Sequence, residues 1–168
     1  MQNTEYKTPE ELKVLVKQNK KEIDAFFSML RKKKPKNLDS FFHSLHHEAF
    51  ENFSCLNCAN CCSSLSPIIT ENDIDRLAKH FKRKPAQMID EYFHIDEDGD
   101  YVFNESPCPF LMPDNYCMVY ENRPKACREY PHTDRRKMIQ ILNLTKKNCE
   151  VCPIVHNITR EIMSKRHT

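Results

Sequence analysis

Four cysteines fall within eight residues, Cys55, Cys58, Cys61 and Cys62, and this C-x2-C-x2-C-C run constrains the chain more than any other feature. A two-residue gap lets two sulfurs converge on one ion, because the chain between them forms a tight knuckle whose backbone N–H groups can point at the sulfurs. Two such knuckles overlap here. Five more cysteines follow, Cys108, Cys117, Cys127, Cys149 and Cys152, the last two repeating the two-residue gap. The expectation is a metal or cluster site. A disulfide framework is the competing explanation for nine cysteines in 168 residues, and it suits a secreted chain. No apolar segment with a small-residue cleavage site precedes Thr8, and the first fifty residues are too charged for a signal peptide. The expected location is therefore the cytoplasm, where thiols stay reduced.

A chain of 168 residues suits a single domain that can bury a modest core and gains from metal cross-links. Apolar residues make up 39% and charged residues 30%, with no Trp, so no membrane span is expected. A net charge of +2 does not by itself argue for a nucleic-acid partner. Eight thiolates around two zinc ions would leave the site negative, and Arg123, Lys125 and Arg128 lie close in sequence to Cys117 and Cys127 to offset that charge. Gly99 is the single glycine. Knuckles and turns favour residues that tolerate positive φ, so Asn57 and Asn60 are expected to substitute for glycine inside the cysteine run.

The spacing predicts a mainly α fold: an N-terminal helical hairpin over 1–54, a metal-stapled, loop-rich cysteine region with a small β-hairpin over 55–153, and a C-terminal helix over 154–168. Thr8-Pro9-Glu10-Glu11 reads as a capping-box start, with Leu12, Leu15, Ile23, Phe26, Phe27 and Leu30 at helical spacing behind it. Pro35 ends that stretch. Asp39 is the expected cap of a second helix carrying Phe42, Leu45, Ala49, Phe50 and Phe53. Thr70 caps a third with Ile74, Leu77, Ala78 and Phe81, and a short helix follows Pro85. Tyr92-Phe93 and Tyr101-Val102-Phe103 flank a turn over 96–100, which predicts the hairpin. Residues 107–134 are rich in Pro and Cys and read as irregular loops held by ligands, while 138–144 and 153–163 read as helices.

Three close cysteines with a remote Cys-Pro, at Cys108-Pro109 or Cys152-Pro153, imitate the way a four-iron cluster is held. Two structural zinc sites use eight thiolates equally well. An iron–sulfur cluster is slightly favoured, since the ligands beyond the first run are mostly single. Adjacent Cys61 and Cys62 are expected to diverge and serve different centres. His132 is a candidate ligand, or a donor to a ligand, with Asp134 as its partner. His43, His46 and His47 share a helical face but lack an H-E-x-x-H pattern, and read as a solvated helix edge. Asp96, Asp98 and Asp100 are not a calcium loop, because the sixth position is Tyr101 and the twelfth is Pro107. Basic runs at 31–36, 79–84 and 135–137 are separated in sequence and balanced by 24 acidic residues, which favours a solvated face.

Cys55-x2-Cys58-x2-Cys61-Cys62, Cys108-Pro109-Phe110-Leu111, Cys117-Met118-Val119-Tyr120 and Arg123-Pro124-x2-Cys127-Arg128-x-Tyr130-Pro131 resemble the CxxCxxCC family of zinc- or iron-chelating proteins, also called YkgJ-type cysteine-cluster proteins, over roughly residues 53 to 153. The resemblance implies a small bacterial cytoplasmic protein whose partners are metal ions. Ala59 stands where members of the family often have glycine. Carried over by position, the implied ligands are Cys55, Cys58, Cys61, Cys62, Cys108, Cys117 and Cys127, with Cys152 as the C-terminal contributor and Cys149 left out. Arg123 and Arg128 can donate to thiolate sulfur or to a bound anion, and Tyr120 and Tyr130 are expected to pack over the site.

The leading functional expectation is a thiolate centre, an iron–sulfur cluster or zinc, in a structural or redox role. Flagellin lysine N-methylases carry a similar cysteine motif, so the resemblance also admits a metal-dependent modifying enzyme. The chain has no glycine-rich nucleotide loop and no nucleophile motif to support one. A zinc-stapled nucleic-acid module would require the three basic runs to converge on one face.

Overall fold

The computed structural model describes residues 8–51, 53–54 and 58–165. Eight α-helices and one two-stranded sheet are found among the described residues: α1 (Pro9–Lys33), α2 (Leu38–Phe50), α3 (Asn60–Ser64), α4 (Glu71–Phe81), α5 (Pro85–Tyr92), β1 (Phe93–Ile95), β2 (Tyr101–Phe103), α6 (Lys125–Glu129), α7 (Leu142–Cys149) and α8 (Pro153–Ser164). The mainly helical class with a small antiparallel hairpin is as expected. The chain groups into two compact units, one of Met1–Cys58 with Pro131–Thr168 and one of Ala59–Tyr130.

In the first unit α1 starts where the capping box places it. Thr8 N–H donates to Glu11 Oε2 at 2.9 Å and Glu11 N–H to Thr8 Oγ1 at 3.2 Å, which satisfies two N–H groups that a helix start otherwise leaves open. Its apolar stripe, Leu12, Ile23, Phe26, Phe27 and Leu30, is buried. Helix α1 packs against α7 and α8, and α2, with Phe42 and Leu45 buried, packs against α8. Fully burying rings such as Phe27 and Phe42 stabilises by about 2 kcal/mol each.

Asp39 does not cap α2. The cap position is Asn37, without a side-chain hydrogen bond, and the Asp39 carboxylate instead accepts the backbone N–H groups of Lys137 at 2.7 Å and Met138 at 2.9 Å. The expected helix over 138–144 is a short 3-10 turn, Met138–Ile141, running into α7. The expected solvated edge of histidines holds for His47, which is exposed, and is corrected for His43 and His46. His46 Nδ1 meets the buried Thr133 Oγ1 at 2.8 Å, and His43 Nε2 meets Arg135 O at 3.0 Å. These rings hold the 133–138 segment against α2.

The second unit is built on Ile69, Ile74, Leu77, Met88, Phe93, Phe103, Phe110 and Val119, with Cys108 and Cys117 packed at the edge of this core. Thr70 and Asp73 form a second capping box at the start of α4. The hairpin pairs Phe93 with Phe103 and Ile95 with Tyr101. Its turn is closed by Asp96, whose carboxylate accepts the N–H groups of Asp98 and Asp100 at 3.0 Å each, and by Gly99 at φ 86°. The acidic run is thus turn chemistry, as aspartate side chains bonding the backbone two residues on provide. Residues 107–134, expected to be irregular, also contain α6 and a 3-10 turn at Tyr120–Asn122.

Candidate metal centre

The cysteine run enters the second unit through Ala59, which adopts the left-handed conformation at φ 46°. An L-residue there costs roughly 1–2 kcal/mol. Asn60, expected to fill such a position, is instead the first residue of α3, and Asn57 lies outside the described residues. Ser63 N–H and Ser63 Oγ both donate to Ala59 O, at 3.0 and 3.1 Å, and hold the turn closed. Cys61 and Cys62 follow within α3, and their sulfurs stand 4.0 Å apart. They do not diverge as expected.

Three chain segments bring thiols together in this unit. Cys108 N–H donates to Cys62 O at 2.8 Å, tying the second segment to the first. Leu111 and Cys117 form an antiparallel bridge, and Met118 N–H donates to Phe110 O at 2.9 Å, so that Cys108 and Cys117 are carried by one tight loop on the core. The third segment supplies Cys127 on α6, and its placement depends on a network that sequence reasoning missed. Asp73, 1% exposed, pairs with Arg76 and accepts Lys125 N–H at 3.0 Å. Arg76 Nη2 donates to Arg123 O at 2.8 Å, and Arg128 Nη1 reaches the same oxygen at 3.0 Å. The only trace of this in the sequence is Asp73 at the third position after the Thr70 cap. Burial pushes the Asp73 carboxyl up, but hydrogen bonds from Thr70, Arg76 and Lys125 outweigh it and hold the group below the usual carboxylate range.

The thiols act on one another electrostatically. The hydrogen bond from Cys61 brings Cys62 down to about 7, with help from the Arg123 guanidinium and against burial. Burial pushes Cys108 up to about 11 and Cys127 up to about 12, and neighbouring thiols, Cys62 and Cys117 among them, add to both shifts. Cys117 is raised by burial too, with Arg123 opposing. Arg123 lies with its guanidinium 3.7 Å from the centroid of the Tyr120 ring and donates from Nε to Tyr120 O at 2.8 Å. Tyr120 is partly exposed and stacks on Tyr116.

The other cysteines and His132 fall outside Ala59–Tyr130. Cys152, His132 and Cys149 belong to the first unit, as does Cys58, and Cys55 lies outside the described residues. Cys149 is fully buried in the helical core; burial pushes it up to about 11, opposed by a hydrogen bond with Thr159. Asp134, the expected partner of His132, stands 3.9 Å from His46 Nε2. Among the described residues no three Cys, His, Asp or Glu side chains stand close enough to hold an ion as they are. The donor chemistry of Cys62, Cys108, Cys117 and Cys127, four interacting thiols beside a guanidinium, fits a soft or borderline metal, and ligation would draw the sulfurs closer.

A mainly helical chain that gathers thiols from three separate segments onto one small core falls in the class of cysteine-cluster chelating domains. The family model CxxCxxCC, described as a putative zinc- or iron-chelating domain, matches residues 54–153, and the chain belongs to that family. No curated protein and no solved structure matches the chain. Among the described residues no helix is long and apolar enough to cross a membrane.

Proposed function

We propose that Ala59–Tyr130 carries a four-thiolate centre of Cys62, Cys108, Cys117 and Cys127, with Cys61 as a neighbouring thiol, in a protein kept reduced in the cytoplasm. The observation that supports it is the approach of four thiols from three segments, near enough to act on one another's ionisation, and sulfurs that ionise side by side need a cation to neutralise them. A bound metal would supply that neutralisation and lock a loop-rich segment into one geometry. Arg123 offsets the residual negative charge. Widely spaced single ligands favour an iron–sulfur cluster over zinc, and with it a redox role.

Metal analysis with a visible absorption spectrum, on protein purified without oxygen, tests this reading. A brown sample with iron and acid-labile sulfide is the expected result. A colourless sample holding zinc would replace the cluster by a closed structural staple. Protein that folds fully with neither metal would overturn the reading.

A further inference from the structure

The first unit is strongly basic. It carries 18 Lys and Arg against 11 Asp and Glu, a formal +7, while Ala59–Tyr130 carries 8 against 13, a formal −5. A net charge of +2 for the whole chain hides this division. Runs 31–36 and 135–137, about a hundred residues apart in sequence, meet in the fold. Asp39, three residues after Lys36, holds the backbone of Lys137 and Met138, and His43 holds the carbonyl of Arg135. Arg31 reaches across to Asn143 at 2.9 Å. Lys32, Lys33, Lys34, Lys36, Arg135, Arg136 and Lys137 are all exposed.

Beside these charges, between the end of α1, the start of α2 and the end of α8, lies a cavity of about 220 Å³. Leu30, Leu38 and Ile162 line it together with Lys33 and Lys165, and Phe41, 42% exposed, stands at its edge. The acidic neighbours are each engaged: Asp39 holds the backbone of Lys137 and Met138, Glu161 pairs with Lys165, and Asp134 faces His46. A cluster of cations around a small apolar recess with an exposed aromatic ring suits a polyanion that can turn a flat apolar group inward. Unpaired bases stack on aromatic side chains while cations track the backbone. A lipid surface fits less well, because membrane anchoring needs apolar groups that project into the bilayer, and here they lie in a recess.

We propose that the basic face formed by residues 31–36 and 135–137, with the Phe41 recess beside it, binds single-stranded nucleic acid, a base entering the recess and the phosphates lying on the lysines and arginines. The acidic unit contributes none of these residues. This surface is independent of the thiolate centre.

Fluorescence anisotropy of the full, metal-loaded chain with short labelled oligoadenylate and oligodeoxyadenylate tests the proposal. With about four phosphates engaged, the logarithm of affinity is expected to fall with the logarithm of salt at a slope of about −3, or roughly fiftyfold between 50 and 200 mM salt. Lys36→Glu with Arg136→Glu is expected to weaken binding at least tenfold and to flatten the slope by about 1.4. Phe41→Ala is expected to weaken it about tenfold with the slope unchanged, and Phe41→Trp to restore it. Lys79→Glu, on the acidic unit, leaves binding unaltered. All four positions are exposed, and metal content read on each variant separates a lost surface from a lost centre. RNA binding tighter than DNA would show contact with the 2′-hydroxyl, and the reverse would place DNA there; either supports the proposal. No binding at low salt, equal binding of duplex with Phe41→Ala indifferent, preference for phosphatidylserine vesicles, or salt-sensitive self-association in place of oligonucleotide binding would overturn it.

Discussion

Cys62 and Cys149 are chemically opposite thiols. Cys62 is brought down to about 7 by Cys61 and Arg123 against burial, whereas burial pushes Cys149 up to about 11 and keeps it a protonated core group. Cys127, at about 12, and Cys108, at about 11, must lose protons before they can ligate a metal. Apparent metal affinity is therefore expected to rise about tenfold per pH unit for each proton displaced. Competition with a chromophoric chelator at two pH values, with proton release followed in weak buffer, checks this; a pH-independent affinity would exclude these thiols as ligands. Cys127→Ser is expected to abolish or halve bound metal. Cys149→Ser keeps the metal and only destabilises the helical core, so loss of metal in that variant would reverse the assignment. Spacing makes the thiols legible as candidate ligands, because C-x2-C and Cys-Pro are local patterns. Spacing does not reveal that Arg128 is directed to the Arg123 carbonyl, since that depends on where Arg76 lies.

Elements whose start is set by a local cap were readable, and elements tied down from afar were not. Thr8 and Thr70 cap α1 and α4 with partners three residues on, so both helices begin where their sequences put them. Asp39 carries the same signal, but its carboxylate serves Lys137 and Met138, 98 and 99 residues away. Asp73 does both, closing its own helix and holding α6 through Lys125. Asp73→Asn is expected to destabilise Ala59–Tyr130 by about 2–3 kcal/mol, since it leaves Arg76 short of its counter-charge, and the partial exposure of Arg76 keeps the loss at the lower end. A group held below its ordinary pKa contributes stability that is full above the unfolded value and is lost as pH falls through the folded one. Denaturant midpoints measured from neutral to acid pH should therefore converge for wild type and Asp73→Asn at the acid end. Parallel curves would show that the carboxylate charge contributes nothing.

The two units rest on different kinds of stabilisation. Met1–Cys58 with Pro131–Thr168 packs α1, α2, α7 and α8 around a large aliphatic and aromatic core. Ala59–Tyr130 has a small core, a three-residue hairpin and two helices of only five residues. Helices that short do not persist without tertiary support. Sequence patterns gave no sign of this division, because the chain leaves the first unit at Cys58 and returns at Pro131 without a linker-like segment at either point. Structural metal ligation contributes on the order of 10 kcal/mol or more, comparable to the whole stability of a small domain. Removing the metal with a chelator should thus raise amide hydrogen exchange throughout 59–130 while amides of α1, α2, α7 and α8 keep their protection. Simultaneous loss of protection in both would mean that the chain folds as one cooperative domain stapled by its metal, and unchanged exchange everywhere would mean that the thiols carry no structural ion.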